Sequence, residues 1–361
     1  GPVRLPDGLH WDVLRLWTEI KRSLALTVQE HGADLASVGL DTWGVDFGLL
    51  DRDGALISNP YHYRDSRTDG MLDAAFRRVP REQIFEHTGI QFMQINSLYQ
   101  LLSMVIDRSP ALGIAESFLT MPDLFNYWLT GRRLCEFSNA TTTQCYDPRK
   151  KSWATDLLSR LDLPLAAFGG GKAEIVPPGT RLGPLRADVA AELDIAPIPV
   201  IAPATHDTGS AVAAVPARAR DYAYISSGTW SLMGVEVDEP VITEQSLAYN
   251  FTNEGGVCDT IRLLKNIMGL WLVQECRREW ARGGEEYGYG ALTQMAAAAA
   301  PFGPIVDVDA HLFLAPGDMP NKIRQFCRDT GQPVPQDKGA VLRCALESLA
   351  LRYRWVLEKL E

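Results

Sequence analysis

Two features of the 361-residue chain predict an α/β fold. The first is a strand, a polar crossing and a helix in direct succession at 197–215. The second is a repeated exchange between short apolar strand-like runs and segments with helical spacing. The length is generous for one core and favours two domains. The boundary is expected within 216–221, which gives domains at 1–216 and 217–361.

The 197–215 stretch organises the rest. Residues 198–202 are apolar and partly β-branched, so they read as a buried strand. Thr205-His206-Asp207-Thr208 follows, and then a small-residue helix stopped by Pro216. Open α/β sheets place ligand-handling groups at the carboxyl ends of their strands. Two roles are open for Asp207 on local grounds. It can cap the helix through backbone N–H groups, or it can take a proton from a bound hydroxyl.

The other segments follow in order. Residues 11–31 carry Val13, Trp17, Ile20, Leu24 and Val28 at helical spacing, with Gly32 at the C-cap position. Residues 37–43 and 47–50 read as strands, the second closed by the turn Asp51-Arg52-Asp53-Gly54. The 61–69 loop mixes Tyr, His, Arg and Asp, which suits either a polyol or plain solvent. Helices are expected near 69–78, 81–88, 96–107 and 124–131, and a short strand at 118–120. The hydroxyl-rich run 139–144 fits strand-edge packing or a pocket wall.

Phe168-Gly169-Gly170-Gly171-Lys172 invites comparison with a phosphate-binding P-loop and fails it. Position 166 is Ala where that loop needs Gly, and Ala173 replaces the Ser or Thr that must follow Lys. Two strands are expected around Ser226-Ser227-Gly228-Thr229-Trp230-Ser231, a tip whose small residues let N–H and O–H groups approach phosphate. Residues 261–282 have helical spacing through Leu263, Ile267, Leu270, Trp271 and Val273. On such a helix Asn266 and Gln274 fall about two turns apart, as a nucleotide-pocket lining or an amphipathic rim. Residues 305–314 read as strand and loop, and 319–330 and 337–361 as helices.

A formal net charge of -10 disfavours nucleic acid and anionic membranes as generic partners. The six cysteines form no C-x-x-C pair, which fits reduced thiols in a cytoplasmic protein. No apolar run reaches the roughly 18 residues of a membrane span. The turn-rich start at Gly1 and the uncapped helical end at Glu361 suggest a chain truncated at both ends.

Taken together, Asp41-Thr42-Trp43-Gly44-Val45-Asp46-Phe47, Tyr63-Arg64-Asp65-Ser66-Arg67-Thr68, 139–144, His206-Asp207-Thr208, 226–234 and Lys265-Asn266-Ile267-Met268-Gly269-Leu270-Trp271 resemble the FGGY carbohydrate kinases. Within that family the chain is most similar to the kinases of L-rhamnulose, over nearly its whole length. The resemblance implies two actin-like, ribonuclease H-like domains with a cleft between them. It implies transfer of the ATP γ-phosphoryl group to the 1-hydroxyl of the sugar, with Mg2+. Asp207 matches the family's catalytic base. Gly44, His206 and Thr208 match sugar-binding positions, and Thr229, Asn266 and Gln274 match ATP-binding positions. The family's first phosphate-binding hairpin and its late glycine loop match nothing here. A kinase of another ketose or polyol, a non-catalytic sugar-binding protein and a glycosidase using Asp41, Asp46 and Asp207 are the competing readings.

Overall fold

The computed structural model describes residues 2–219 and 221–361. The chain forms two compact units. The first comprises Gly1–Arg218 and Glu236–Leu263, the second Ala219–Val235 and Leu264–Glu361. The expected single crossing near 216–221 is therefore joined by two more, because 236–263 packs with the first unit.

In the first unit, helix Val13–His31 begins where the Asp12 side chain accepts from the Arg15 N–H. Strand Phe47–Leu50 is buried along its whole length and pairs antiparallel with Ser117–Thr120. A core of Phe47, Phe118, Phe125, Trp153 and Phe168 forms around this pair. Helix Met121–Thr130 starts with Pro in its first turn and ends at Gly131, whose φ of 80° places it in the left-handed region. Strand Pro199–Ile201 pairs antiparallel with Arg181–Pro184 and anchors a second apolar cluster. It leads to helix Asp207–Ala213, as the sequence predicts.

Other expectations are corrected. Residues 37–43 form no continuous strand, only parallel bridges from Val38 to Val200 and from Thr42 to His206. The 139–144 run is no strand edge: Phe137–Thr142 is a short helix begun by Glu136, with its hydroxyls buried. Ser and Thr compete poorly as helix formers. Here the Glu136 carboxylate holds the first turn by accepting from Ser138 N and Asn139 N.

The second unit holds strand Tyr224–Ser227, antiparallel to Trp230–Val237. The 261–282 segment is not one helix. Ile261–Met268 is a strand next to Trp230–Val237, and the helix starts only at Trp271. Gly269 explains the break. A Cβ there would stand 2.3 Å from Ser231 Oγ, so the backbone turns hard against the neighbouring strand. Strand pairing overrides the helix preference of Leu, Lys and Met. Helix Tyr289–Ala298 packs on Lys338–Leu360, and Trp271 Nε1 donates to Phe313 O at 2.9 Å. Residues 305–314 contain no strand, only a 3-10 turn at His311–Phe313. No helix among the described residues is long and apolar enough to cross a membrane.

Candidate functional site

The site in the first unit is built where two loops run side by side. Thr42 N donates to Thr205 O and Asp207 N donates to Thr42 O, at 2.9 and 2.8 Å. The Asn139 amide donates to both Trp43 O and Thr205 O, at 3.4 and 3.3 Å. Gly44, His206, Asp207 and Thr208 therefore belong to one local framework.

Asp207 is the first residue of its helix, and His206 is the cap. The Asp207 carboxylate uses Oδ1 to accept from Thr208 N at 2.7 Å and from the Thr208 hydroxyl at 3.3 Å. Oδ2 has no hydrogen-bond partner among the described residues. The side chain is 56% exposed, so a ligand hydroxyl can reach it. Pure capping would engage N–H groups one turn on, and this carboxylate does not.

Asp41 lies close enough to Asp207 for their charges to interact. Partial desolvation, followed by the Asp207 charge, raises the Asp41 carboxyl above its ordinary value. Among the described residues no group of three or more His, Cys, Asp and Glu is arranged to hold a metal ion.

Gly44 is needed for close approach. A Cβ there would lie 2.9 Å from Thr142 Oγ1 and 3.1 Å from Thr142 Cγ2. Val45 follows with φ of 68°, unusual for a β-branched residue. Thr142 Oγ1 accepts from Val45 N at 3.1 Å, and Ser97 donates to Val45 O at 2.5 Å, so this strained residue is pinned on both sides.

Two buried carboxylates hold the framework, and sequence reading missed both roles. Glu136 Oε2 accepts from Thr205 N at 2.9 Å, the Thr205 hydroxyl at 2.7 Å and the Ser138 hydroxyl at 2.5 Å. Asp46 Oδ2 accepts from the indole nitrogens of Trp11 at 2.5 Å and Trp43 at 2.9 Å, while Oδ1 accepts from the Gln100 amide at 2.9 Å. Burial pushes Asp46 up to about 6 against those hydrogen bonds. The two indoles pack with ring centroids 4.1 Å apart. The spacing Trp43-x-x-Asp46 was the available signal for this anchor.

The 61–69 loop is not simply solvated. His62, Asp65 and Thr68 are buried, and the Arg67 guanidinium lies 3.8 Å from the Tyr61 ring centroid. Arg67 also donates to Gln100 Oε1 at 2.7 Å, which ties the loop to the Asp46 anchor.

The second unit brings together two of the three expected nucleotide residues. Thr229 Oγ1 donates to Gln274 Oε1 at 3.0 Å, at the tip between strands Tyr224–Ser227 and Trp230–Val237. Gly269 N and Trp271 N both donate to Thr229 O at 3.2 Å, fixing the tip on the turn before the helix. Asn266 sits on strand Ile261–Met268 rather than on the helix of Gln274, so the expected shared helical face does not exist.

Residues 5–214 match the N-terminal domain, and 223–361 the C-terminal domain, of the FGGY family of carbohydrate kinases. A rhamnulokinase from Bacteroides thetaiotaomicron is 47% identical over 358 residues, covering 99% of this chain and 72% of that protein. One from Enterococcus faecalis is 37% identical over 364 residues, covering 99% and 72%. Among solved structures, a ligand-bound xylulose kinase from Lactobacillus acidophilus superposes with a TM-score of 0.77 at 16% identity, covering 100% of this chain and 72% of that one. Plasmodium falciparum glycerol kinase with ADP gives 0.71 at 13% identity, covering 99% and 71%. At such identities the structural likeness speaks to the fold.

Proposed function

The chain belongs to the FGGY family of carbohydrate kinases, and on that premise we propose that it phosphorylates L-rhamnulose at the 1-hydroxyl with ATP. Two further observations support the sugar: the relatives named rhamnulokinase, and their alignment over nearly the whole chain. The reaction is assigned to the cytoplasm. Gly1–Arg218 with Glu236–Leu263 is the sugar side, and Ala219–Val235 with Leu264–Glu361 the nucleotide side.

The observation that carries the chemistry is the Asp207 carboxylate, exposed and with one oxygen uncommitted. As O1 of the sugar attacks the γ-phosphorus, its proton passes to Asp207. The bond from phosphorus to the bridging oxygen breaks, and ADP leaves. Gly44 gives the sugar close access to backbone, and His206 and Thr208 flank the base. Thr229, Asn266 and Gln274 bind the nucleotide. Most of the acceleration comes from positioning and charge neutralisation, since phosphoryl transfer asks little covalent chemistry of the protein.

Mg2+ requires only one or two protein carboxylates besides phosphate and water. Asp41, crowded by the Asp207 charge, fits that requirement. The ion would supply charge neutralisation on the phosphates.

The test is turnover of L-rhamnulose, L-fuculose and xylulose with ATP, repeated on Asp207→Asn. The variant is expected to keep sugar binding and lose about two or more decades in kcat, the usual share of a positioned base. Faster turnover of another ketose moves the assignment within the family. Wild-type protein that binds sugar and turns over none of them is a binding protein, and a fully active Asn variant removes Asp207 as the base.

A further inference from the structure

His206 is nearly enclosed, and its ring is wedged between an exposed carboxylate and a buried ion pair. Nε2 faces Asp207 Oδ1 at 3.7 Å. Nδ1 faces Arg262 Nη2 at 3.1 Å and Glu254 Oε2 at 3.3 Å. Arg262 is 0% exposed, the largest fully buried side chain among the described residues. Its Nε donates to Gly255 O at 2.9 Å, and Nη2 also lies 3.4 Å from Glu254 Oε2.

A guanidinium is a donor only, and it stays charged. Nδ1 at 3.1 Å from Nη2 must therefore accept, which places the imidazole proton on Nε2. The alternative, Nδ1–H donating to Glu254, would press two N–H groups together at 3.1 Å. We propose that Arg262 is a positioning residue that fixes His206 in the Nε2–H form, so that the ring presents a hydrogen-bond donor beside Asp207. Glu254 balances the buried guanidinium and accepts a hydrogen bond from an Nδ1–H only when Arg262 is lost.

The consequence rests on the sugar-kinase reading. The donor at Nε2 holds a sugar oxygen next to the base, and the wrong tautomer would present a lone pair to it. A site built to donate rejects a ligand poorly matched to it, because a buried polar group is then left unpaired. The assignment is specific to the neutral ring and needs no metal or nucleotide.

Long-range 15N–1H correlation spectra of histidine-labelled protein read the tautomer directly, with His206 assigned from the signal missing in His206→Gln. The sequence has six histidines, so the spectrum is sparse. The expected ligand-free wild type is Nε2–H, and an Nδ1–H wild type overturns the proposal whatever any variant does. In Arg262→Met the tautomer is expected to reverse and sugar affinity to fall about tenfold or more, with ATP affinity unchanged. Arg262→Lys, which keeps a cationic donor, is expected to restore the Nε2–H form and part of the affinity. An Arg262→Met protein with unchanged tautomer also overturns it. These spectra use no substrate, so they fail or succeed independently of which sugar is phosphorylated.

Discussion

Glu136 accepts from both the backbone N–H and the hydroxyl of Thr205, at 2.9 and 2.7 Å, and so ties the loop that leads into Asp207 to the helix Phe137–Thr142. Ser138 adds two more donors, N and Oγ, and Asn139 N a fifth. The carboxylate is 0% exposed, so its charge is compensated wholly by these groups.

Glu136→Gln tests that compensation. An amide presents an NH2 where only donors point, whichever way it is turned. The expected cost is about 3 kcal/mol of unfolding free energy, because one donor set is left unmatched in a buried site. The sugar kcat is expected to fall roughly tenfold, since about 1.4 kcal/mol of lost alignment is a factor of ten. Urea unfolding and steady-state kinetics read the two effects. A variant as stable as wild type would show that Glu136 merely fills space.

The close approach at Gly44 gives a second expectation. Gly44→Ala drives a methyl group to within 2.9 Å of Thr142 Oγ1 and 3.1 Å of its Cγ2. Either the Gly44 loop or Thr142 must move, at a cost of about 1–3 kcal/mol. The KM for sugar is expected to rise about tenfold, by the same scale that relates 1.4 kcal/mol to a decade. Adding Thr142→Ser removes Cγ2 and keeps the hydroxyl that accepts from Val45 N, so part of the KM is expected to return. Failure of the double variant to improve on Gly44→Ala places the damage at contacts other than Thr142 Cγ2.

Much of the candidate site's local geometry was legible as sequence, and the reasons differ by residue. Asp207 was legible because a strand, a polar cluster and a helix follow one another within eighteen residues at 197–214, so their order fixes where the carboxylate falls. Gly44 was legible from family likeness alone, since its need is a contact with Thr142, almost a hundred residues away. The strand at Ile261–Met268 was not legible. Its residues are buried on both faces, which erases the alternation that marks a half-buried strand. Glu136, Asp46 and Arg262 were missed for a common reason: charged residues read as surface unless their partners are known, and those partners lie on other elements.

Asp46 carries the pH prediction. Burial raises its carboxyl from the ordinary 3.8 to about 6. Between those values the folded protein keeps a proton that the unfolded chain has released. The folded state then binds more protons, so unfolding free energy falls as pH rises from about 4 to about 6 and levels off above. A shift of this size corresponds to a loss of about 3 kcal/mol across the window, at 1.36 kcal/mol per unit. Asp123, raised by burial to about 8, slopes in the same direction over a wider range. The difference between wild type and Asp46→Asn isolates the first term. Asn cannot ionise, so the variant is expected to lose less stability than wild type between pH 4 and pH 6.5, with the indoles of Trp11 and Trp43 reporting the change by fluorescence. Parallel stability curves for the two proteins would mean that Asp46 stays ionised throughout, held there by the indole and amide donors in spite of its burial.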